Sequence, residues 1–139
     1  MMLSPYVFYS GTCEKAINHY QRILGGDVVM MSRYGDGPGS EELSADAKNL
    51  VMHARLVFEG QTLMASDAHP SMPNNGSHGF SLALNLADLD KAERVFNGLA
   101  DGGSVTMPLQ KTFWAERFGM LTDRYGIEWM INAGESVSP

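Results

Sequence analysis

At 139 residues the chain has room for one domain of ordinary size. Its 44% apolar content is enough for a true core, and with 19% charged residues it is neither a long disordered chain nor a collagen-like fibre. Sixteen acidic against ten basic residues leave a net charge of −6, which argues against a phosphate backbone or an anionic membrane as partner.

The chain opens with a β-rich run, Leu3 to Tyr9. A helix follows, with Thr12 placed to cap it and Gly25 to close it. Its apolar stripe, Cys13, Ala16, Ile17, Tyr20 and Leu24, keeps helical spacing, so Leu24 should be buried. Three strands come next: Asp27–Tyr34, Leu50–Phe58 and Gln61–Ser66, the last two joined by a tight Glu59-Gly60 turn. Residues 68–77, with two prolines and Asn74-Asn75-Gly76, read as a linker. Beyond it lies a strand, Phe80–Leu86, and a helix capped by Asp88 with Leu89, Ala92, Phe96 and Leu99 turned inward. After Gly102-Gly103 the pattern predicts strands near Ser104–Met107, Arg117–Thr122 and Ile127–Asn132.

The two halves repeat each other. Glu14-Lys15-Ala16 returns as Asp90-Lys91-Ala92, an offset of 76. Gly25-Gly26-Asp27-Val28-Val29-Met30 returns as Gly102-Gly103-Ser104-Val105-Thr106-Met107, an offset of 77. Gly60-Gln61-Thr62-Leu63-Met64 returns as Gly126-Ile127-Glu128-Trp129-Met130, an offset of 66. Matches in the same order indicate duplication. The expected fold is α+β: one domain over residues 1–139 built from two βαβββ units, residues 3–67 and 78–133.

Such a duplication resembles the vicinal oxygen chelate superfamily of glyoxalase I, extradiol dioxygenases and bleomycin-resistance proteins. Within it the chain is similar to the PhnB-like branch. The segments that carry this resemblance are Pro5-Tyr6-Val7-Phe8, Met52-His53-Ala54, Leu63-Met64-Ala65-Ser66-Asp67, Thr112-Phe113-Trp114-Ala115 and Thr122-Asp123-Arg124-Tyr125-Gly126. The resemblance implies a cup-shaped mixed sheet with helices on its outer face, a pocket on the inner face, and a homodimer.

Strand alternation assigns the faces. Phe80, Leu82, Leu84 and Leu86 belong under the helices, which turns Ser81, Ala83 and Asn85 to the pocket. Carried back through the repeat, this places Pro5, Val7 and Tyr9 on the pocket side. Met52, Ala54, Leu56 and Phe58 form an apolar set, which directs His53 and Arg55 inward with Met64, Ser66, Glu128, Met130 and Asn132. The candidate ligand-binding residues are therefore Tyr9, His53, Arg55, Ser66, Ser81, Trp114 and Glu128. His53, an imidazole able to donate, accept or titrate near neutral pH, is the best candidate for catalysis.

In the superfamily a divalent metal is held by first-strand and last-strand residues of each unit. Those positions carry Pro5, Met64, Ser81 and Met130 here, which lack the oxygen and imidazole donors such an ion wants. The expected cofactor is therefore none, with a metal-dependent lyase, isomerase or dioxygenase as the rival reading. Glu128 could serve an altered site, and His53, Asp67 and His69 are a second candidate metal set. A drug-sequestering protein without catalysis is a third reading.

A triad of Ser66, His53 and Asp67 is weakened by adjacency, because neighbouring strand residues point to opposite faces. Gly35-Asp36-Gly37-Pro38-Gly39 is too irregular for a phosphate loop, and no Gly-x-Gly-x-x-Gly follows a strand, so S-adenosylmethionine binding lacks support. His19 reads as a solvated helix residue. Ten methionines suit an adaptable core or a soft pocket. Phe113 and Trp114 lie in a connection, where bulky aromatics suit a pocket lid or a subunit contact.

The lone cysteine, Cys13, excludes an intrachain disulfide and fits a reducing compartment. The start of the chain lacks a signal-peptide pattern and no run reaches transmembrane length, so the expected location is the cytoplasm. The expected partner is a small organic molecule.

Overall fold

Each half of the chain folds into one four-stranded mixed sheet with a helix packed on one face. The structure, a computed structural model, describes residues 1–135. It divides into two units, Met1–Gly76 and Ser77–Pro139, with the boundary at the end of the expected linker.

The N-terminal unit comprises β1 (Tyr6–Tyr9), α1 (Cys13–Leu24), β2 (Asp27–Arg33), a short α2 (Ala45–Asn49), β3 (Val51–Phe58) and β4 (Gln61–Asp67). Its strand order is β1-β4-β3-β2, with β1 parallel to β4 and the other pairs antiparallel. The C-terminal unit comprises β5 (Leu82–Leu86), α3 (Leu89–Ala100), β6 (Ser104–Gln110), β7 (Ala115–Thr122) and β8 (Glu128–Glu135). Its order, β5-β8-β7-β6, and its pairing senses are the same. The α+β duplication read from the sequence is thus the observed architecture.

The cores follow the helical stripes. Cys13, Ala16, Ile17 and Tyr20 of α1 are buried, and α1 packs against β2, β3 and β4. Ala92, Val95, Phe96 and Leu99 do the same for α3 against β6, β7 and β8. Two expectations for α1 are corrected. Leu24, in its last turn, is only half-buried, whereas its counterpart Leu99 is fully buried. His19 is 8% exposed rather than solvated, because it stands beside Tyr20 at the edge of the buried stripe.

The two helix starts are capped differently. Asp88 accepts from the backbone N–H of Lys91, as a conventional cap does. Thr12 makes no such bond. Its place is taken from a distance by Asp67, at the end of β4. Asp67 Oδ1 accepts from the N–H groups of Gly11 and Cys13 at 2.9 and 3.0 Å, and Oδ2 accepts from Val51 N–H at 2.9 Å. One buried carboxylate therefore ties β4 to the start of α1 and the start of β3. In the C-terminal unit, buried Asp123 accepts from the backbone N–H of Tyr125 and Ile127 and from the Trp129 indole, which fixes the β7–β8 turn.

Burial pushes the Cys13 thiol up to about 12, with the carboxylates of Asp67 and Glu14 adding to the effect. Native protein at pH 8 should therefore react slowly with a thiol reagent and rapidly once unfolded. The folded pKa is the raised one, so the linked stability is complete below about pH 9, where an unfolded thiol begins to ionise, and is lost as pH rises toward 12. Cys13→Ala should cost about 1 kcal/mol at pH 8 through lost packing. That gap should narrow in urea titrations at pH 10–11; a gap independent of pH would contradict the assignment.

Candidate functional site

The sheet of the N-terminal unit has an outward face, turned away from α1 and corresponding to the pocket side expected from the sequence, and a hydrogen-bonded chain of polar side chains lies on it. Pairing brings Met30, Arg55, Met64 and Tyr6 into one row across β2, β3, β4 and β1. Beside it, Ser32 pairs with His53 and Phe8 with Ser66. Helix α1 covers the opposite face, where Val7, Tyr9, Ala54, Leu56, Leu63 and Ala65 are buried.

The outward face is apolar in body but carries a polar chain. His53 Nδ1 lies 3.0 Å from the Tyr6 hydroxyl, and Arg55 Nε–H donates to His53 Nε2 at 3.1 Å. The Tyr6 ring stacks on the imidazole with centroids 5.6 Å apart, and Phe8 tilts against Tyr6 at 5.0 Å. Tyr6 is 37% and Phe8 52% exposed, and Met30 is similarly open. Arg55 is the only formally charged side chain in these rows, and no carboxylate among the described residues pairs with it.

Two local irregularities aim these residues. The β2–β3 register shifts between Ser32 and Arg33, which pair with His53 and Val51 and leave Met52 bulged out. Val51 is consequently buried on the helix side and Met52, expected there, is 40% exposed. The second irregularity lies before α1. Tyr6 pairs with Met64 while Ala83 pairs with Met130, so the first strands correspond at an offset of 77, whereas the helices correspond at 76. The connection Ser10-Gly11-Thr12 is one residue longer than Ala87-Asp88. A one-residue slip exchanges the two faces of a strand.

That slip corrects the expected site. Tyr9 does not face outward: it is buried under α1, with its hydroxyl 3.0 Å from that of Tyr20. Val7 is buried with it, and Tyr6 and Phe8 take the positions on the face away from α1, the expected pocket side, that sequence reasoning had given to Pro5, Val7 and Tyr9. The 77-residue offset of the glycine pairs was the signal that would have found them. His53 and Arg55 lie on the outward face. Ser66 shares it but is buried beside Phe8, and the side chains bonded to the His53 ring are Tyr6 and Arg55.

The remaining candidates lie in the C-terminal unit. Ser81 immediately precedes β5 and is half-buried. Glu128 is exposed and pairs with Thr122, on the face of β8 that also carries Met130 and Asn132. Trp114 is half-buried in the β6–β7 hairpin, edge-on to Phe113 at 4.8 Å and to Phe118 at 5.2 Å, and Phe113 at the tip is 90% exposed. Two surface cavities, of about 380 Å³ beside α3 and about 230 Å³ beside His69, share no residue with the Tyr6–His53–Arg55 face.

The superfamily's divalent ion does not fit these side chains. Met64 and Met130 pair with Tyr6 and Ala83 rather than with the expected Pro5 and Ser81, and a phenol, two thioethers and a methyl group are poor donors for such an ion. Nor do His53, Asp67 and His69 come together. Asp67 lies in the core with both oxygens bonded to backbone N–H groups, His53 is on the outward face, and His69 Nδ1 is engaged by Ser71. Among the described residues no three His, Cys, Asp or Glu side chains gather as a metal site. No helix of the described residues is long and apolar enough to cross a membrane.

Comparison with known proteins agrees with this fold. A family model described as 3-demethylubiquinone-9 3-methyltransferase matches residues 2–132. Protein YjdN of Escherichia coli is 38% identical over 140 residues, covering 95% of each chain. The crystal structure of protein PA1353 from Pseudomonas aeruginosa is 47% identical with a TM-score of 0.89, covering 96% of this chain and 98% of that one. A Bacillus cereus structure, described as a putative 3-demethylubiquinone-9 3-methyltransferase, PhnB protein, is 26% identical with a TM-score of 0.80, covering 96% of this chain and all of that one. The chain belongs to this PhnB-like family and has the fold of the glyoxalase and bleomycin-resistance proteins.

Proposed function

We propose that the protein binds a small organic molecule on the outward face of its N-terminal sheet and does so without a divalent metal. The observation that carries this reading is the hydrogen-bonded chain Tyr6–His53–Arg55, set on an apolar surface that α1 does not cover. Convergent polar groups on an apolar bed are what fix the orientation of a small ligand. Methyl transfer rests on the family description alone; the chain carries no glycine loop suited to S-adenosylmethionine. Part of the same proposal is a homodimer, supported by the aromatic tip of the β6–β7 hairpin at Phe113 and Trp114.

A thermal-shift screen against metabolites and divalent ions tests the reading, since a true ligand stabilises the folded state by mass action. A metabolite should raise Tm, and His53→Ala should weaken its affinity about tenfold while leaving the melting temperature of the free protein within about 2 °C. Unchanged affinity with a clear drop in Tm would make His53 a structural residue. About one divalent ion per chain surviving dialysis would overturn the metal-free part.

A further inference from the structure

The hydrogen bonds of His53 fix which of its nitrogens carries the proton. Arg55 is always protonated and Nε–H can only donate, so Nε2 of His53 must be the acceptor. In a neutral imidazole the hydrogen then sits on Nδ1, the atom 3.0 Å from the Tyr6 hydroxyl. The Tyr6 oxygen is therefore an acceptor in this contact, and its own O–H hydrogen is left to donate elsewhere. Both His53 nitrogens are engaged within the chain of side chains, which leaves the imidazole little to offer a ligand.

We propose that Tyr6, not His53, is the residue that contacts the ligand: it donates to one oxygen of an organic carboxylate whose charge is met by Arg55, while His53 holds the phenol in place. The proposal rests on the reading that this face binds a small molecule, and adds to it the ligand class and the division of labour. Arg55 keeps its two terminal nitrogens for an oxyanion, since its bond to His53 uses Nε alone. It is flanked in its row by Met30 and Met64, with Tyr6 beyond Met64. These thioethers, with the Tyr6 and Phe8 rings, offer an adaptable surface for an apolar body attached to that oxyanion. On a chain of net charge −6, an arginine in an apolar row with no carboxylate partner among the described residues is the local feature that selects an anion.

Two measurements test this. The first is ¹⁵N NMR of the free protein at a pH where imidazole is neutral: the His53 ring should be the Nδ1–H tautomer, and an Nε2–H tautomer would overturn the division of labour. The second is binding of benzoate and its neutral isostere benzamide, followed by chemical shifts on the N-terminal sheet. Benzoate should bind about tenfold more tightly, and Arg55→Gln should erase that preference. Tyr6→Phe and His53→Leu should each weaken benzoate about tenfold, and the double variant should be no worse than either alone. His53→Asn, whose amide N–H can stand where Nδ1–H stood, should bind within about threefold of the wild type. Equal binding of the two probes, or benzoate binding indifferent to Tyr6→Phe, overturns the proposal and leaves the small-molecule reading intact. No shifts on this face with either probe overturn the ligand class, and the metabolite screen then decides the broader reading by itself.

Discussion

Replacing Asp67 with alanine is expected to unfold the N-terminal unit under conditions where the wild type is stable. The carboxylate is 2% exposed and accepts three backbone N–H groups, from Gly11, Cys13 and Val51. Cys13 and Val51 are buried, and each orphaned buried N–H costs about 1–3 kcal/mol, whereas Gly11 is exposed and water can replace part of its loss. Cys13 is the first residue of α1, where first-turn N–H groups lack partners within the helix and the dipole favours a negative charge, and Gly11 lies just before it. The two buried donors together, about 2–6 kcal/mol, are a large share of the 5–15 kcal/mol that holds a typical domain together. Asp67→Asn should be milder, because one amide oxygen can still accept while the NH₂ group faces a donor. Urea denaturation of the two variants measures the difference, and amide exchange at Gly11, Cys13 and Val51 locates it. A loss below about 1 kcal/mol for Asp67→Ala would mean that Asp67 is not the tie the geometry describes.

This tie also shows where sequence reading stops. The stripe Cys13, Ala16, Ile17, Tyr20 announces α1, and Asp88 announces the start of α3, because helix periodicity and a local cap are written within a few residues. Asp67 caps α1 from more than fifty residues away, and no local pattern records a long-range hydrogen bond. Strand extents suffered similarly. β6 was expected to end at Met107 but continues to Gln110 through Pro108, which is tolerated because β6 is the edge strand of its sheet and its register jumps from Met107 to Gln110.

The candidate site was half legible for a related reason. Parity on β3 placed His53 and Arg55 on the correct face even though Met52 bulges from the same strand. Parity on β1 was borrowed from the other unit through the wrong offset, which selected Pro5, Val7 and Tyr9 and passed over Tyr6 and Phe8. A repeat transfers faces only when every insertion between the copies has been located. Here the extra residue sits in Ser10-Gly11-Thr12, where Gly11 adopts φ +100°, a conformation other residues rarely reach.

Alanine at Gly26 or Gly103 is expected to be among the most damaging single-methyl additions in the chain. These are the second glycines of the two repeated pairs, each just after a helix and just before the unit's next strand. A Cβ on Gly26 would meet the carbonyl oxygen of Val57, with Phe58 Cα at 2.9 Å; on Gly103 it would meet the carbonyl oxygen of Thr122, with Asp123 Cα at 2.9 Å. In both units the obstacle is backbone of the central strand paired alongside, β3 or β7, which cannot rotate aside as a side chain can. That shared close approach explains why both copies carry glycine at this position. Overpacking against backbone costs about 1–3 kcal/mol or more. Gly26 adds strain of about 1–2 kcal/mol, because its φ of +82° lies in the left-handed region. Gly60→Ala is the control: its φ is +75° but nothing lies within 4 Å of the added methyl, so only the strain remains. The expected order of destabilisation in urea or thermal melts is Gly26→Ala, then Gly103→Ala, then Gly60→Ala. Gly103→Ala is the decisive member, since its backbone is not left-handed and only the clash is at issue. Stability within about 0.5 kcal/mol of the wild type for that variant would show that the strand can give way, and that the glycine repeat has another cause.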